Sequence, residues 1–493
     1  MAGLGSKLAA WASPAFNAPP VSPASDHEPA SQPRASALDV WLSALPYWYL
    51  TALLAALGFS FGFYFVQPRG GAVALERDWL DAFTWMDGRW YKQIAAEGYK
   101  YDPDKGTNIA FFPVYPLLGR ALVSVTGLRA EAALLIVSNL SFLAALAMLA
   151  RYVRERYPNS PTDLSDYTVL TAAIFPTGCF FRLAYSESTF LLLAVLAMYA
   201  MRRRWPLWAI ALIVGLATAT RPVGVALLAP FAIHLLRRGP HQREVSARQL
   251  PESPAPAGAT HGPVEAQLSS LSGRERIRVA VNFAPGFPRL RFGLVCARLV
   301  LYLPLACWGF GAFTVYQYAA FGEPFATVKV QKHWGTPAPW REKVVALATL
   351  APVRSVYDPR SSAFWALGDD HGIPWFSLQF ANPLFFAAAV ALIALGASLS
   401  LARRSDDRCR ASWLSMEEVS LAILLLLIPY VTRAYEMRMG SMGRFTAVVF
   451  PVFLVIGQLL VRLPGPLRAA LLAVFGFFLA AYTALYVARY GIF

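Results

Sequence analysis

Charge is scarce in this sequence. Only 15% of its 493 residues are Asp, Glu, Lys or Arg, while 57% are hydrophobic. That balance excludes an ordinary soluble domain, in which about 25% of residues are charged, and points to a chain solvated by lipid. Acids are the scarcer sign: 29 Asp and Glu stand against 44 Lys and Arg, a net charge of +15. No basic helix with interleaved aromatics forms a continuous groove, which argues against nucleic acid as a partner. Cysteine is scarce too. Cys179, Cys296, Cys307 and Cys409 have no metal-type spacing, and three lie in or beside apolar runs, so they read as packing residues and not as a disulfide framework. An internal repeat of the kind that marks many secondary transporters is also missing.

What is present is a series of apolar runs: 49–66, 134–149, 189–200, 207–219, 223–236, 295–320, 385–402, 419–431, 445–461 and 467–487. With the segment 166–181 they amount to about eleven spans of a bilayer core some 30 Å thick. The expected fold is therefore an all-α polytopic membrane protein with juxtamembrane helices in its large loops. Cationic residues near span ends are held on the cytoplasmic side. Arg151, Arg154 and Arg156, then Arg202 to Arg204, Arg237 and Arg238, Arg403 to Arg410 and Arg462 all fall on one side if the N-terminus is cytoplasmic. The loop 67–120, the turn from Arg182 to Glu187, Thr220 and Arg221, the segment 321–376 and the loop 432–444 then share the opposite, non-cytoplasmic side.

Two stretches rich in Ala, Pro and Ser divide the chain. Residues 1–38 read as a disordered cytoplasmic tail, without the features of a signal peptide. Residues 239–290 read as a flexible cytoplasmic linker. Between and beyond them lie an N-terminal membrane block, 39–238, with the first external loop at 67–120, and a C-terminal block, 291–493, with the second at 321–376. Compact loops and the lack of an evident targeting signal favour a bacterial plasma membrane, with the endoplasmic reticulum as the alternative.

The first external loop concentrates the chemistry. Phe83, Met86, Trp90 and Ile94 have helical spacing, and the local Trp and Tyr content suits a helix in the headgroup layer. Asp87 and Tyr91 are one turn apart on such a helix and share a face. Asp87 reads either as a helix cap or as a catalytic base. Gly88 beside it removes a side chain and would let a substrate approach closely. Glu187 sits one residue into a span, where an acid is costly enough to suggest a function, either orienting a substrate or holding an arginine. Arg221 and Arg444 adjoin span ends, either snorkelling to headgroups or meeting an anion. Arg182, Lys332 and His333 map to the same face. Trp334, Trp340, Trp365 and Trp375 fit an aromatic belt or a sugar-stacking platform. Asp369-Asp370-His371 reads as a solvated turn between two glycines or as a site for a divalent cation, the one candidate cofactor.

Met86-Asp87-Gly88-Arg89-Trp90-Tyr91, then Ile94-Ala95 and Gly98-Tyr99, then Ala110-Phe111-Phe112-Pro113-Val114-Tyr115-Pro116 together resemble the signature of the PIG-V-like mannosyltransferases. These are polytopic glycosyltransferases of the C superfamily (GT-C), whose eukaryotic members add the second mannose of the GPI anchor precursor. Further matches follow in order: Ala184-Tyr185-Ser186-Glu187-Ser188, Ala219-Thr220-Arg221-Pro222-Val223-Gly224, Gln331 with Trp334-Gly335, and Ser441-Met442-Gly443-Arg444-Phe445 with Phe450-Pro451. Met86 stands where the family has Trp before the acid, with Trp85 displaced by one.

The resemblance implies transfer of a hexose, by family default mannose, from a polyprenyl-phosphate donor to an acceptor hydroxyl, with inversion, on the non-cytoplasmic face. It implies Asp87 and Glu187 as the functional acids. Tyr91, Arg182, Tyr185, Arg221, Gln331, Lys332, His333, Trp334 and Arg444 become substrate-binding candidates. The partners would be the bilayer, the lipid-linked sugar and a glycolipid, glycan or protein acceptor. The alternative is a polytopic transporter or lipid-linked sugar flippase, which should carry ionisable residues in mid-span; here nearly all charges lie at span ends and in loops.

Overall fold

The computed structural model describes residues 37–68, 78–238, 288–335, 339–361, 364, 378–403 and 412–490. Nearly all of the tail 1–38 and of the linker 239–290, together with Asp369-Asp370-His371, Trp365, Trp375 and Cys409, lie outside them. Every regular element among the described residues is helical.

Four helices are long and apolar enough to cross a membrane. They lie within α1 (Ala37–Tyr64), α4 (Ala130–Arg156), α11 (Leu378–Arg403) and α15 (Gly465–Val487). A fifth span is bent by 48°: α9 (Pro288–Ala306) ends just beyond Pro304 and α10 (Trp308–Phe321) resumes after Cys307. Pro304 supplies the cause, since its ring blocks one hydrogen bond of the helix ladder.

The remaining six of about eleven expected runs form shorter helices, and here the structure departs from the span count. They are α5 (Asp163–Ile174), α6 (Glu187–Arg202), α7 (Leu207–Thr218), α8 (Leu228–Arg237), α12 (Met416–Pro429) and α14 (Phe450–Arg462), of 10 to 16 residues. At 1.5 Å per residue the longest reaches only about 24 Å, short of the hydrocarbon core. Proline sets several of the breaks. After α5 the chain turns at Pro176 into a 3-10 segment, Pro176–Phe181; after α7, Pro222 opens another, Pro222–Leu227; and α12 loosens beyond Pro429 into a π turn, Tyr430–Ala434.

These breaks gather at one end of the bundle, against the first loop, where α2 (Asp87–Glu97) and α3 (Val114–Thr126) lie. Val114 donates its N–H to Ala219 O at 3.1 Å, and Ala184 donates to Phe83 O at 3.1 Å. Broken helices expose backbone groups that must find partners, and the loop supplies them.

Small residues let the bundle close. A Cβ at Gly58 or Gly62 of α1 would collide with the carbonyls of Ala480 and Ala484 on α15. That is the close approach which membrane helices use in place of hydrophobic expulsion. At the end opposite the breaks, Glu418 of α12 is fully enclosed. It accepts from Tyr152 Oη at 2.5 Å, Arg156 Nε at 3.0 Å and Ser415 N at 2.5 Å, closing a capping box at the start of α12.

Candidate functional site

A cavity of about 330 Å³ opens where the broken helices meet the first loop. Asp87 and Tyr91 line it from α2, Phe111 from the segment before α3, and Arg221 from the turn after α7. Gln331 and Trp334 reach it from the turn after α10, Arg433 from the π turn, and Arg444 from the short helix α13 (Met442–Ala447).

Asp87 is the first residue of α2, and the residue capping that helix is Met86, whose side chain makes no cap bond. The carboxylate turns to Arg444 instead: Oδ2 accepts from Nη1 at 2.6 Å. Its side chain stays 31% exposed, so one face of the acid remains open to the cavity. Met86 holds φ at 57° and ψ at −119°, a region that costs a non-glycine residue of order 1–3 kcal/mol. The preceding carbonyl is pinned: Trp85 O accepts from Tyr486 Oη at 2.7 Å and from Tyr185 Oη at 3.1 Å. Arg444 is presented in a similar way. Ser441 precedes its helix at φ 63°, and Gly443 packs so closely that a Cβ there would lie 2.8 Å from Asn382 Oδ1. Gly443 N donates to that oxygen and Gly443 O accepts from Thr177 Oγ1 at 2.7 Å.

Beneath the cavity wall lies Glu187, completely enclosed at the start of α6. It contacts Arg221 and Arg444, the latter through Nε to Oε1 at 2.9 Å. The Arg444 contact lies at ion-pair distance but off hydrogen-bond alignment. Named among the catalytic acids and read as either orienting a substrate or holding an arginine, Glu187 contacts two arginines at the wall and is not among the residues lining the cavity. A buried carboxylate needs such partners, because an isolated charge in low dielectric is costly. Arg221 also donates to Ser186 Oγ at 3.3 Å, and Ser186 exchanges a hydrogen bond with Tyr91 Oη at 2.9 Å. A single chain of contacts thus runs from Tyr91 through Ser186, Arg221, Glu187 and Arg444 to Asp87. Burial pushes the Tyr91 phenol above its usual range, which keeps it a neutral hydroxyl.

Of the residues expected from sequence, Asp87, Tyr91, Arg221, Gln331, Trp334 and Arg444 meet at the cavity. Tyr185 sits behind it, with the Arg444 guanidinium 5.3 Å from its ring centre. Arg182 is placed elsewhere. It is buried, bonded to Asn139 Oδ1 at 2.7 Å and to Trp48 O, with its guanidinium over the Trp48 ring, so it ties α1 to α4 and does not face the substrate space. Lys332 and His333 are exposed beside the mouth, His333 against Pro103 O at 3.2 Å. Their neighbours point inward because the 3-10 turn Val330–Trp334 has three residues per turn, which separates adjacent side chains by about 120°. Gly88 also differs from expectation: it is buried against the Ala184 carbonyl, 3.4 Å from where a Cβ would lie, and serves helix packing.

Arg433 is the residue the motifs did not single out. It lines the cavity and bonds to Gln331. The signal was available: Arg433 stands two residues beyond the apolar run 419–431, the same kind of span-end position that drew attention to Arg221 and Arg444. Aromatic rings complete the mouth, with Trp90 and Trp334 6.0 Å apart edge to face and Phe111 within 6.3 Å of both. Four arginines line the cavity, Arg89 among them, against Asp87 as its one acid. Among the described residues no group of three or more His, Cys, Asp or Glu is placed to hold a metal ion.

Residues 70–239 match the model of the mannosyltransferase (PIG-V) family. The match covers the motif groups at 86–116, 184–188 and 219–224; those at 331–335 and 441–451 lie beyond it. No curated protein matches the chain. Solved structures of an oligosaccharyltransferase from Archaeoglobus fulgidus are similar at low identity. One, AglB in complex with an inhibitory peptide and a dolichol-phosphate, is 13% identical, with a TM-score of 0.38 over 91% of this chain and 56% of its own. Another, with zinc and sulfate, is 12% identical, with a TM-score of 0.40 over 90% and 53%. The chain therefore spans little more than half the length of these structures.

Proposed function

We propose that this protein is an integral-membrane glycosyltransferase that moves a hexose, mannose by family default, from a polyprenyl-phosphate donor to an acceptor hydroxyl. The observation that carries the reading is a partly exposed carboxylate, Asp87, facing a cavity whose other charged lining residues are Arg89, Arg221, Arg433 and Arg444. An acid that can take a proton and cations that can receive a phosphate are the two demands of a single displacement at an anomeric carbon.

The acceptor hydroxyl approaches Asp87, whose orientation Arg444 fixes, and gives it its proton as the oxygen attacks the sugar C1. The new C1–O bond forms on the face opposite the breaking bond to phosphate, so the configuration inverts. The leaving lipid phosphate departs with the bonding electrons, and the arginines stabilise its charge through charge-assisted hydrogen bonds. A phosphate leaving group is a weak base and needs no general acid. The aromatic mouth suits the apolar face of a sugar ring. The apolar helices too short to span alone complete the bundle as broken spans. The non-cytoplasmic placement is supported by the arginine-rich loops, which gather at the opposite end of the same helices.

The test is transfer from a synthetic polyprenyl-phosphate mannose, assayed with purified protein in nanodiscs alongside mass spectrometry of envelope glycans. Loss of one hexose from lipid-linked or envelope glycans when the protein is removed, restored by wild type and not by Asp87→Asn, is the expected result. Unchanged transfer by the Asn variant would remove Asp87 from the chemistry.

A further inference from the structure

A second cavity, of about 350 Å³, lies at the other end of the bundle. Helix α6 connects the two: Glu187 begins it behind the Asp87 cavity, and Arg202, its last residue, lines the second, about 22 Å away at 1.5 Å per residue. Five arginines line this second space, Arg156, Arg202, Arg204, Arg237 and Arg238, with His234, against a single acid, Glu417.

Two of the five are matched. Arg156 pairs with Glu418 at 3.0 Å, and Arg237 with Glu417 at 2.8 Å. Among the described residues no carboxylate stands at ion-pair distance from Arg202, Arg204 or Arg238. Arg202 and Arg238 bond backbone carbonyls, of Glu155 and of Trp205 and Arg204, which fixes their guanidinium planes without bringing them a carboxylate among the described residues. The C-terminal ends of α6 and α8 offset part of the repulsion, yet a helix end carries only about half a charge. These arginines line one cavity, open to the surface at Arg202, Arg204 and Arg237.

We propose that this cavity is a binding site for a phosphate group, carried by a lipid headgroup or by a soluble phosphate compound, distinct from the Asp87 cavity. Three guanidiniums without a carboxylate partner among the described residues match the several acceptor oxygens and the charge of a phosphate. Both sources present the same chemistry, and the cavity opens where either can arrive.

The full-length protein in nanodiscs provides the test. Inorganic pyrophosphate titrated by calorimetry forms one arm; phosphatidic acid retained against phosphatidylcholine, read by native mass spectrometry, forms the other. Saturable binding in the first arm assigns a soluble source, and retention in the second alone assigns a headgroup. In the positive arm, Arg204→Gln weakens binding about tenfold, whereas Arg433→Gln, in the Asp87 cavity, leaves it unchanged. Arg204 is exposed and its side chain has no hydrogen-bond or ion-pair partner among the described residues, so its variant folds. Absence of binding in both arms, or loss with Arg433→Gln but not with Arg204→Gln, overturns the proposal.

Discussion

Two enclosed glutamates stand at opposite ends of this helix bundle, and they are held differently. Glu418 accepts aligned hydrogen bonds from Tyr152, Arg156 and Ser415, and its pair with Arg156 serves to start α12 and join it to α4. Glu187 has ion-pair contacts to two arginines, lacks hydrogen-bond alignment in that to Arg444, and stands one contact away from a partly exposed acid. A polar network satisfied in every direction specifies structure. One that ends on a half-open carboxylate and spare cations is arranged for a ligand that completes it.

The sharpest way to break this comparison is Asp87→Asn. It should lower transfer by roughly 10²–10⁴-fold while leaving folding intact, measured as turnover and thermal melting of the same preparation. Arg444→Gln comes next. It removes a partner of both acids and should lower turnover by about 10²–10³-fold and also destabilise the fold, because Glu187 is left with one partner. Glu418→Gln inverts the pattern: a loss of about 3 kcal/mol in stability, since Arg156 becomes a buried charge without its acid, with turnover of the folded fraction unchanged. A large activity loss in that variant at temperatures where it remains folded would erase the distinction between the two ends. Smallest is Tyr486→Phe, which deletes one of two hydroxyls bonded to Trp85 O. It should cost about 1 kcal/mol and reduce turnover less than tenfold, through looser aim of Asp87.

The helical architecture and the first loop were legible from residue order, because lipid solvation demands apolar runs and tolerates charge only at their ends. The span count was not. Hydropathy reads composition, whereas Pro176, Pro222 and Pro429 divide apolar stretches into helices too short to cross alone. Within the site, Asp87, Tyr91, Arg221 and Arg444 were visible as motif residues. Arg182 was visible only as an arginine on the same side; unlike Arg221 it stands in none of the matched motifs, and its sequence neighbourhood does not say what it meets. Its place over Trp48, 134 positions away along the chain, depends on α1 packing against α4.

By itself the sequence determined that this chain lives in a membrane, is built of helices, and concentrates polar residues in a few loops, because each of these follows from local hydrophobicity and periodicity. Tertiary structure alone decided which charges meet. Arg444 reaches Asp87 across 357 positions and Arg433 joins Gln331 across 102. The physical reason is that a charge buried in low dielectric must find its partner in space, and no rule of spacing along a chain can say which one it will find.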